Sequence, residues 1–124
     1  MTEIRSYRDL RVWREAMTLV EESYRFSQGL PEEELFGLTS QLRRAAVSIP
    51  ANIAEGYGRD SRGSYVSFLK TAQGSLKELE THFMLRQRLN FSQAEATDTL
   101  LAHCEVVGTM SLGLIRNLQT TAEA

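Results

Sequence analysis

Histidine and acidic side chains at helical spacing are the first candidates for chemistry in this chain. Di-iron bundles use Glu-x-x-His pairs, in which the glutamate precedes the histidine by three residues. Neither His82 nor His103 has such a glutamate, whereas Glu78 lies four residues before His82 and shares its helix face. A single pair of this kind does not make a metal site. We therefore expect no metal and no cofactor, and we expect both histidines to lie at the surface or between packed helices.

The serines and glycines give equally little support for catalysis. A nucleophilic serine needs a positioned base and an orienting carboxylate, and the sequence around Ser48, Ser64 and Ser75 indicates neither. The loop GRDSRGS places Gly58 and Gly63 at the spacing of a phosphate-binding loop, but it lacks the lysine of that motif. It also follows a predicted helix, whereas the motif requires a strand. The sequence thus favours a protein that is not an enzyme.

Arginine is the residue type with the most potential for binding. Arg43 and Arg44 fall on the predicted central helix, and Arg59 and Arg62 lie in the turn after it. These four form a candidate nucleic-acid contact, because arginine binds phosphate oxygens. The alternative, which we favour, pairs them with carboxylates such as Glu55. A net charge of -2 and a pI near 5.7 give the chain no general attraction to phosphate backbones.

Length and composition favour a single globular domain. The chain has 124 residues, 42% hydrophobic and 24% charged, which is enough to bury a core in one domain over residues 1–124. It lacks an apolar stretch of about 18 residues, and its first residues are charged where a signal peptide is apolar. We expect a cytoplasmic protein without a membrane span. The single cysteine, Cys104, cannot form an internal disulfide, and we expect a buried, inert thiol.

Apolar residues recur with a period near 3.6 along the whole chain, so we predict an all-α fold. The four predicted helices span Ser6 to Ser27, the residues after Pro31 to Glu55, Ser64 to Leu89, and Ser92 onward. Ser6 with Asp9 and Ser92 with Glu95 have the spacing of N-terminal capping boxes. Asn90 is expected to end the third helix. Short connections predict an antiparallel, up-down-up-down four-helix bundle.

Two features of the central helices carry further expectations. Pro50 should kink the second helix, because it removes the donor for the carbonyl group of Ala46. Ser48, Asn52 or water could satisfy that carbonyl group. In the middle of the third helix, Gly74 and Ser75 are small, which lets another helix approach closely.

The first helix has more apolar surface than one bundle can cover. Its apolar residues occupy about half of the helical wheel, wider than the ~100° stripe that a surface helix needs. They are Leu10, Val12, Trp13, Ala16, Met17, Leu19, Val20 and Tyr24. Leftover apolar area on a globular protein marks an interface, so we expect this face to contact another subunit.

The segment QLRRAAVSIPANIAEGYGR, residues 41–59, lies between LPEEELFGLTS and FLKTAQGSLKELET. These segments resemble the bacterial four-helix-bundle proteins, also called the intervening-sequence proteins of large-subunit ribosomal RNA or the S23 family. The resemblance spans Tyr7 to about Leu118 and implies a cyclic homopentamer without catalytic residues. The motif residues, to which we assign structural roles in the bundle or the subunit contact, are Arg43, Arg44, Ser48, Pro50, Asn52, Glu55 and Gly56.

The sequence therefore favours a non-enzymatic, self-associating helical scaffold whose partner is further copies of itself. The alternative is an RNA- or DNA-binding accessory factor. This alternative follows from the similarity in fold between the family and a strongly basic accessory protein of diversity-generating retroelements. That accessory protein binds nucleic acid and a reverse transcriptase. A bundle that binds a small molecule or a metal is the third and least favoured hypothesis.

Overall fold

The computed structural model describes residues 3–123, and side chains are described through residue 120. Over residues 3–123 the chain forms four long helices and no strand, so the predicted all-α fold is confirmed. The helices are α1 (Arg11–Ser27), α2 (Ser40–Tyr57), α3 (Arg62–Arg88) and α4 (Ala94–Glu123). The predicted single domain over residues 1–124 also includes Met1, Thr2 and Ala124, which lie outside the described residues.

The four helices enclose one apolar core. They contact one another in the order α1–α2, α2–α3, α3–α4 and α4–α1, as in a four-helix bundle. Its fully buried large side chains include Leu19, Leu42, Ile49, Ile53, Leu69, Leu76, Leu79, Phe83, Cys104 and Val107. The α2 and α3 helices run in opposite directions, because Ser48 meets Ser75 while Gly56 meets Phe68. The up-down-up-down order of the whole bundle stays a prediction.

The start of the first helix differs from the prediction. Ser6 and Asp9 form the expected capping box, in which the Ser6 hydroxyl accepts from the Arg8 amide at 3.1 Å and Asp9 accepts from the Ser6 amide at 3.1 Å. The box caps a short 3-10 turn, Tyr7–Asp9, and Leu10 is then extended (φ -73°, ψ 123°). Because Leu10 breaks the helix, α1 begins at Arg11 and not at Ser6.

The second helix also begins later than predicted. The residues after Pro31 form a 3-10 turn (Glu32–Glu34) and a π-helical turn (Leu35–Thr39) before α2 begins. Gly37 has a non-helical backbone (φ -109°, ψ -108°), and the Glu34 carboxylate accepts from the Leu38 amide at 3.2 Å. The extra turn shifts the helical register, so Leu35 does not share the buried face of α2. Leu35 and Phe36 are exposed.

The turn between α2 and α3 is shorter than predicted. Gly56 lies inside α2, and α3 begins at Arg62 instead of Ser64. The reason is a cap that the sequence analysis missed, because the Ser61 hydroxyl accepts from the Ser64 amide at 3.1 Å.

The connection between α3 and α4 confirms one expectation and corrects another. Asn90 has a left-handed backbone (φ 62°) just after the end of α3, as a helix-ending asparagine should. The capping box of Ser92 and Glu95 is wrong. Ser92 lies two residues before α4, and its hydroxyl lies 3.1 Å from the hydroxyl of Thr97.

Cys104 lies in the core, as predicted. Burial raises the pKa of its thiol to about 12, and the charge of Glu80 adds to the effect. A thiol with this pKa stays protonated near neutral pH and is a poor nucleophile. Within residues 3–123, none of the helices is long and apolar enough to cross a membrane.

Candidate functional site

Arg43, a family-motif residue at the start of α2, attaches this helix to α1. The Arg43 side chain is half-buried, and its Nε donates to the hydroxyl of Ser27 at 2.8 Å. Its guanidinium group also lies over the ring of Tyr24, 4.8 Å from the ring centre. Charge-assisted hydrogen bonds and cation–π contacts both stabilise such a pair of helices. These contacts of Arg43 join the start of α2 to the end of α1, and its role as a motif residue stays a prediction.

A polar network in the middle of α2 connects this helix to α3. The hydroxyl oxygens of Ser48 and Ser75 lie 2.8 Å apart, and the Asn52 side-chain amide donates to the Ser48 carbonyl at 2.8 Å and hydroxyl at 2.9 Å. These bonds of Asn52 go to Ser48 and not to the Ala46 carbonyl, for which Asn52 was one of three candidate partners. Pro50 is buried inside α2, which continues through it to Tyr57. The predicted kink stays a prediction.

The last turn of α2 packs unusually closely on α3. A side chain at Gly56 would place its Cβ only 2.8 Å from Cβ of Phe68 and 3.1 Å from the ring of Tyr65. Beside it, Arg59 pairs with Glu55 at 3.0 Å and lies over the Phe68 ring, 4.7 Å from its centre. Gly56 allows the close approach, while Glu55 and Arg59 form an exposed ion pair at its edge.

The structure does not bring the four candidate nucleic-acid arginines together. Arg43 and Arg44 lie in the first turns of α2, whereas Arg59 and Arg62 lie beyond its other end. Sixteen helical residues span about 24 Å. Arg43 and Arg59 are already engaged within the chain, and Arg44 and Arg62 are exposed. Phosphate contact by these residues stays a prediction, now divided between two distant pairs.

An exposed apolar surface lies beside Arg44, and the sequence analysis did not find it. We call it the Phe36 surface, and it consists of Tyr24, Leu35, Phe36 and Val47. These side chains line an open groove of about 630 Å³ together with Ser40, Arg43, Arg44 and Ser48. Phe36 is 93% exposed, far more than the others at 39% to 45%. Gly37 was the sequence signal for this exposed surface, because a glycine at this position can interrupt the regular helix that would otherwise have covered Phe36.

The predicted apolar excess of α1 is only partly present. Trp13 is half-buried and packs against the core of its own chain, with its ring 5.2 Å from that of Tyr7. Met17 and Tyr24 on the same helix are exposed. Most of the wide apolar face of α1 is thus covered by its own bundle. Among residues 3–120, the most exposed large apolar side chain, Phe36, lies on the Leu35–Thr39 turn.

His103 lies between α4 and α1 and contacts two carboxylates. Its Nε2 lies 2.9 Å from Oε2 of Glu15, and its Nδ1 is hydrogen-bonded to Oε1 of Glu22. Burial alone would lower the pKa of His103, but the hydrogen bonds and charges of Glu22 and Glu15 outweigh burial and raise it. A ring that donates from both nitrogens is an imidazolium. His103 is therefore a helix-packing residue, as one of our two expectations stated.

His82 is buried between helices and has a different environment. Neither of its ring nitrogens has a hydrogen-bond partner in the described part of the chain, and Oε1 of Glu78 lies 3.7 Å from Nε2. Within residues 3–123, no group of three or more histidine, cysteine or acidic side chains is arranged to hold a metal ion.

Arg86 is a buried charged residue that the sequence analysis missed. Its Nη1 donates to the Phe26 carbonyl at the end of α1, and its Nε donates to the Phe91 carbonyl at 3.3 Å. Its guanidinium lies over the Phe26 ring, 3.7 Å from the centre, and burial lowers its pKa. A cation is favourable at a helix C-terminus. The sequence signal for its burial was its position, because Arg86 continues the helical spacing of the core residues Leu79 and Phe83.

Comparison with known proteins identifies a sequence family and a similar fold among solved structures. The family profile described as "23S rRNA-intervening sequence protein" matches residues 8–113. A crystal structure of a protein with unknown function from the S23 ribosomal protein family of Bacteroides thetaiotaomicron has a similar fold, with a TM-score of 0.78. The two sequences are 21% identical, and the match covers 84% of this chain and 97% of that one. Comparison with curated protein sequences finds no match.

Proposed function

Because the chain belongs to the 23S rRNA-intervening sequence protein family, we propose that it is a non-enzymatic scaffold that associates with copies of itself. The observation that carries the proposal is the 93% exposure of Phe36. Full burial of a phenylalanine side chain contributes about 1.5–3 kcal/mol of favourable free energy. A single copy of this chain does not gain this contribution, because it leaves Phe36 exposed. A further copy that covers Phe36 would gain this contribution.

The surroundings of Phe36 also fit a protein contact. Leu35, Val47 and Tyr24 are exposed next to it, and they extend the apolar area around the groove. Isolated apolar residues at a surface need no explanation, whereas a contiguous patch with a polar rim marks an interaction site. Arg43 and Arg44 provide that rim. Aromatic and arginine side chains are also the residues that contribute most to protein interfaces.

A cyclic assembly of five copies is the form that we propose. A contact between two different surfaces of identical subunits builds a closed ring when its rotation closes. The resemblance to the family supplies the number five, and the structure supplies the exposed surface. Such a ring would have a mass of about 70 kDa, five times the 14.0 kDa of one chain.

Light scattering coupled to size-exclusion chromatography tests the proposal. We expect a mass several times 14.0 kDa at micromolar concentration, and close to 70 kDa for five copies. A sharp peak of the mass of one chain at that concentration would contradict self-association. A multiple other than five would leave self-association in place and overturn the pentamer.

A further inference from the structure

A second exposed apolar surface lies on α3, and we call it the Leu85 groove. It is a groove of about 240 Å³ lined by Thr81, Met84, Leu85 and Arg88. Met84 and Leu85 are exposed by 45% and 41%. Its lining surface is nearly all apolar, so the groove can accept an apolar side chain.

The Leu85 groove and the Phe36 surface lie at the same end of the bundle but on different helices. Because α2 and α3 are antiparallel, with Ser48 beside Ser75, the start of α2 and the end of α3 lie together. In a ring of subunits whose axis is parallel to the bundle, each contact joins two different faces at the same height. The two apolar surfaces meet this requirement.

Charged residues flank both surfaces, and their order along α3 is the reverse of their order along α2 and the turns before it. Read inward from this end of the bundle, exposed Glu32 and Glu33 come first, Phe36 follows, and exposed Arg44 lies further along α2. The order along this strip is acidic, apolar, basic.

On α3 the order is reversed. Read inward from the same end, Arg88 comes first, Met84 and Leu85 follow, and exposed Glu78 lies about 15 Å from Arg88 along the helix. The order along this strip is basic, apolar, acidic. Within one copy, Arg44 and Glu78 line the same open groove between α2 and α3, but in the described part of the chain they form no ion pair with each other. When the two strips of neighbouring copies lie side by side in the same direction, each charge faces its opposite.

We propose that Phe36 and Leu35 of one copy dock into the Leu85 groove of the next copy, with Glu32 and Glu33 beside Arg88 and with Arg44 beside Glu78. This inference rests on the proposed self-association and names its contact. It is a head-to-tail contact, since each copy offers the Phe36 surface to one neighbour and the Leu85 groove to the other. Complementary charge would fix which way the strips align.

Charge substitutions on each side test the contact separately. Phe36→Asp removes the docking residue, and Leu85→Asp puts a charge in the groove. Val106→Asp is the matched control, because Val106 is exposed by 44% on α4, outside both surfaces. We expect the first two variants to have the mass of one chain, 14.0 kDa, and the control to keep the mass of the unmodified protein. Circular dichroism melting checks that all three are folded.

Mixing the two variants gives a sharper result. Phe36→Asp keeps its groove and Leu85→Asp keeps its Phe36 surface, so each mixed pair has one intact contact. We expect a one-to-one complex of about 28 kDa, twice the mass of one chain. If the unmodified protein is a multimer but the variants keep its mass, or the mixture gives no complex, this contact is wrong and self-association still stands. If the unmodified protein has the mass of one chain, the proposed function itself fails.

Cross-linking keeps the proposal testable if a charged variant does not fold. A chain with Phe36→Cys and Leu85→Cys should form a ladder of covalent multimers on oxidation, because each copy links to two neighbours. Cys104 does not contribute, since it is buried in the core. The control chain with Phe36→Cys and Val106→Cys should give no such ladder. The absence of a ladder from the first chain, or an equal ladder from the control, would overturn the contact.

Discussion

Nε2 of His103 lies 2.9 Å from Oε2 of Glu15, and this contact joins α4 to α1 across the surface of the bundle. The other ring nitrogen is bonded to Glu22, two turns further along the same face of α1. Helices α1 and α4 are distant in the sequence, so this three-residue bridge ties the two ends of the chain together. Its strength depends on the charge of the imidazole.

The bridge predicts a pH-dependent stability. The pKa of His103 is raised in the folded protein, so its contribution is fully present below the ordinary value of 6.5 and is lost as pH rises through the folded value. We expect His103→Gln to lower the free energy of unfolding by about 1–2 kcal/mol at about pH 5.5, and by much less at about pH 9. Urea unfolding of both proteins at a fixed protein concentration measures the difference. A difference that is independent of pH would show that the imidazole acts without its charge.

Gly56 and Gly74 form a matched pair for testing close packing between α2 and α3. Gly56→Ala would place a methyl group 2.8 Å from Phe68, whereas a Cβ at Gly74 would have no atom of another described helix within 4 Å. We expect Gly56→Ala to destabilise the fold by about 1–3 kcal/mol through overpacking. Gly74→Ala should stabilise it by up to about 1 kcal/mol, since alanine is the better helix former.

Thermal unfolding of both glycine variants measures these opposite shifts. Equal changes in melting temperature in the two variants would contradict the difference in packing between Gly56 and Gly74. Destabilisation by Gly74→Ala alone would point to a neighbouring copy at the exposed face of α3, where we had expected another helix to approach.

Arg86 is expected to stabilise the end of the bundle where α1, α3 and the following turn meet. Arg86→Met removes the donors to the Phe26 and Phe91 carbonyl groups while keeping most of the apolar stem. A hydrogen bond to a charged group contributes about 1.5–3 kcal/mol, and the Phe26 carbonyl keeps a bond from the Gly29 amide at 3.4 Å, so we expect a loss of about 2–4 kcal/mol. The control is Arg116→Met on the exposed face of α4, with a change within about 0.5 kcal/mol. If Arg86→Met and Arg116→Met change the free energy of unfolding equally in chemical denaturation, the hydrogen bonds of Arg86 do not stabilise the fold specifically.

Nucleic-acid binding, the alternative function, is expected to be weak. The chain has a net charge of -2, and Glu55 already pairs with Arg59. We expect no shift of a labelled RNA or DNA in a gel at low salt. The ultraviolet absorbance of the purified protein should show no co-purified nucleic acid. A shift that disappears steeply with added salt, and that Arg44→Ala weakens, would support the alternative instead.

The sequence predicted the helices and the core because both follow from local periodicity. Leu42, Ile49 and Ile53 recur at helical spacing, and the structure buries all three. The left-handed Asn90 and the capping box of Ser6 with Asp9 also depend only on nearby residues. Patterns of this kind are encoded within one or two turns of the chain.

The features that the sequence analysis missed depend on neighbours in space or on competing local bonds. The exposure of Phe36 depends on the backbone at Gly37 and on Glu34, which together turn a predicted helix start into a π-helical turn. Arg86 looks like a charged residue of the helix surface until Phe26, sixty residues earlier, is placed beside it. Periodicity also overestimated the free apolar area of α1, because it does not show how much of Trp13 the same bundle covers.

Self-association is best tested by sedimentation velocity of the unmodified protein over a dilution series. We expect one dominant species whose mass is a whole multiple of 14.0 kDa and that dissociates only at the lowest concentrations. A single species of 14.0 kDa at every concentration would rule out self-association, because Phe36 would then remain exposed to water in the native protein.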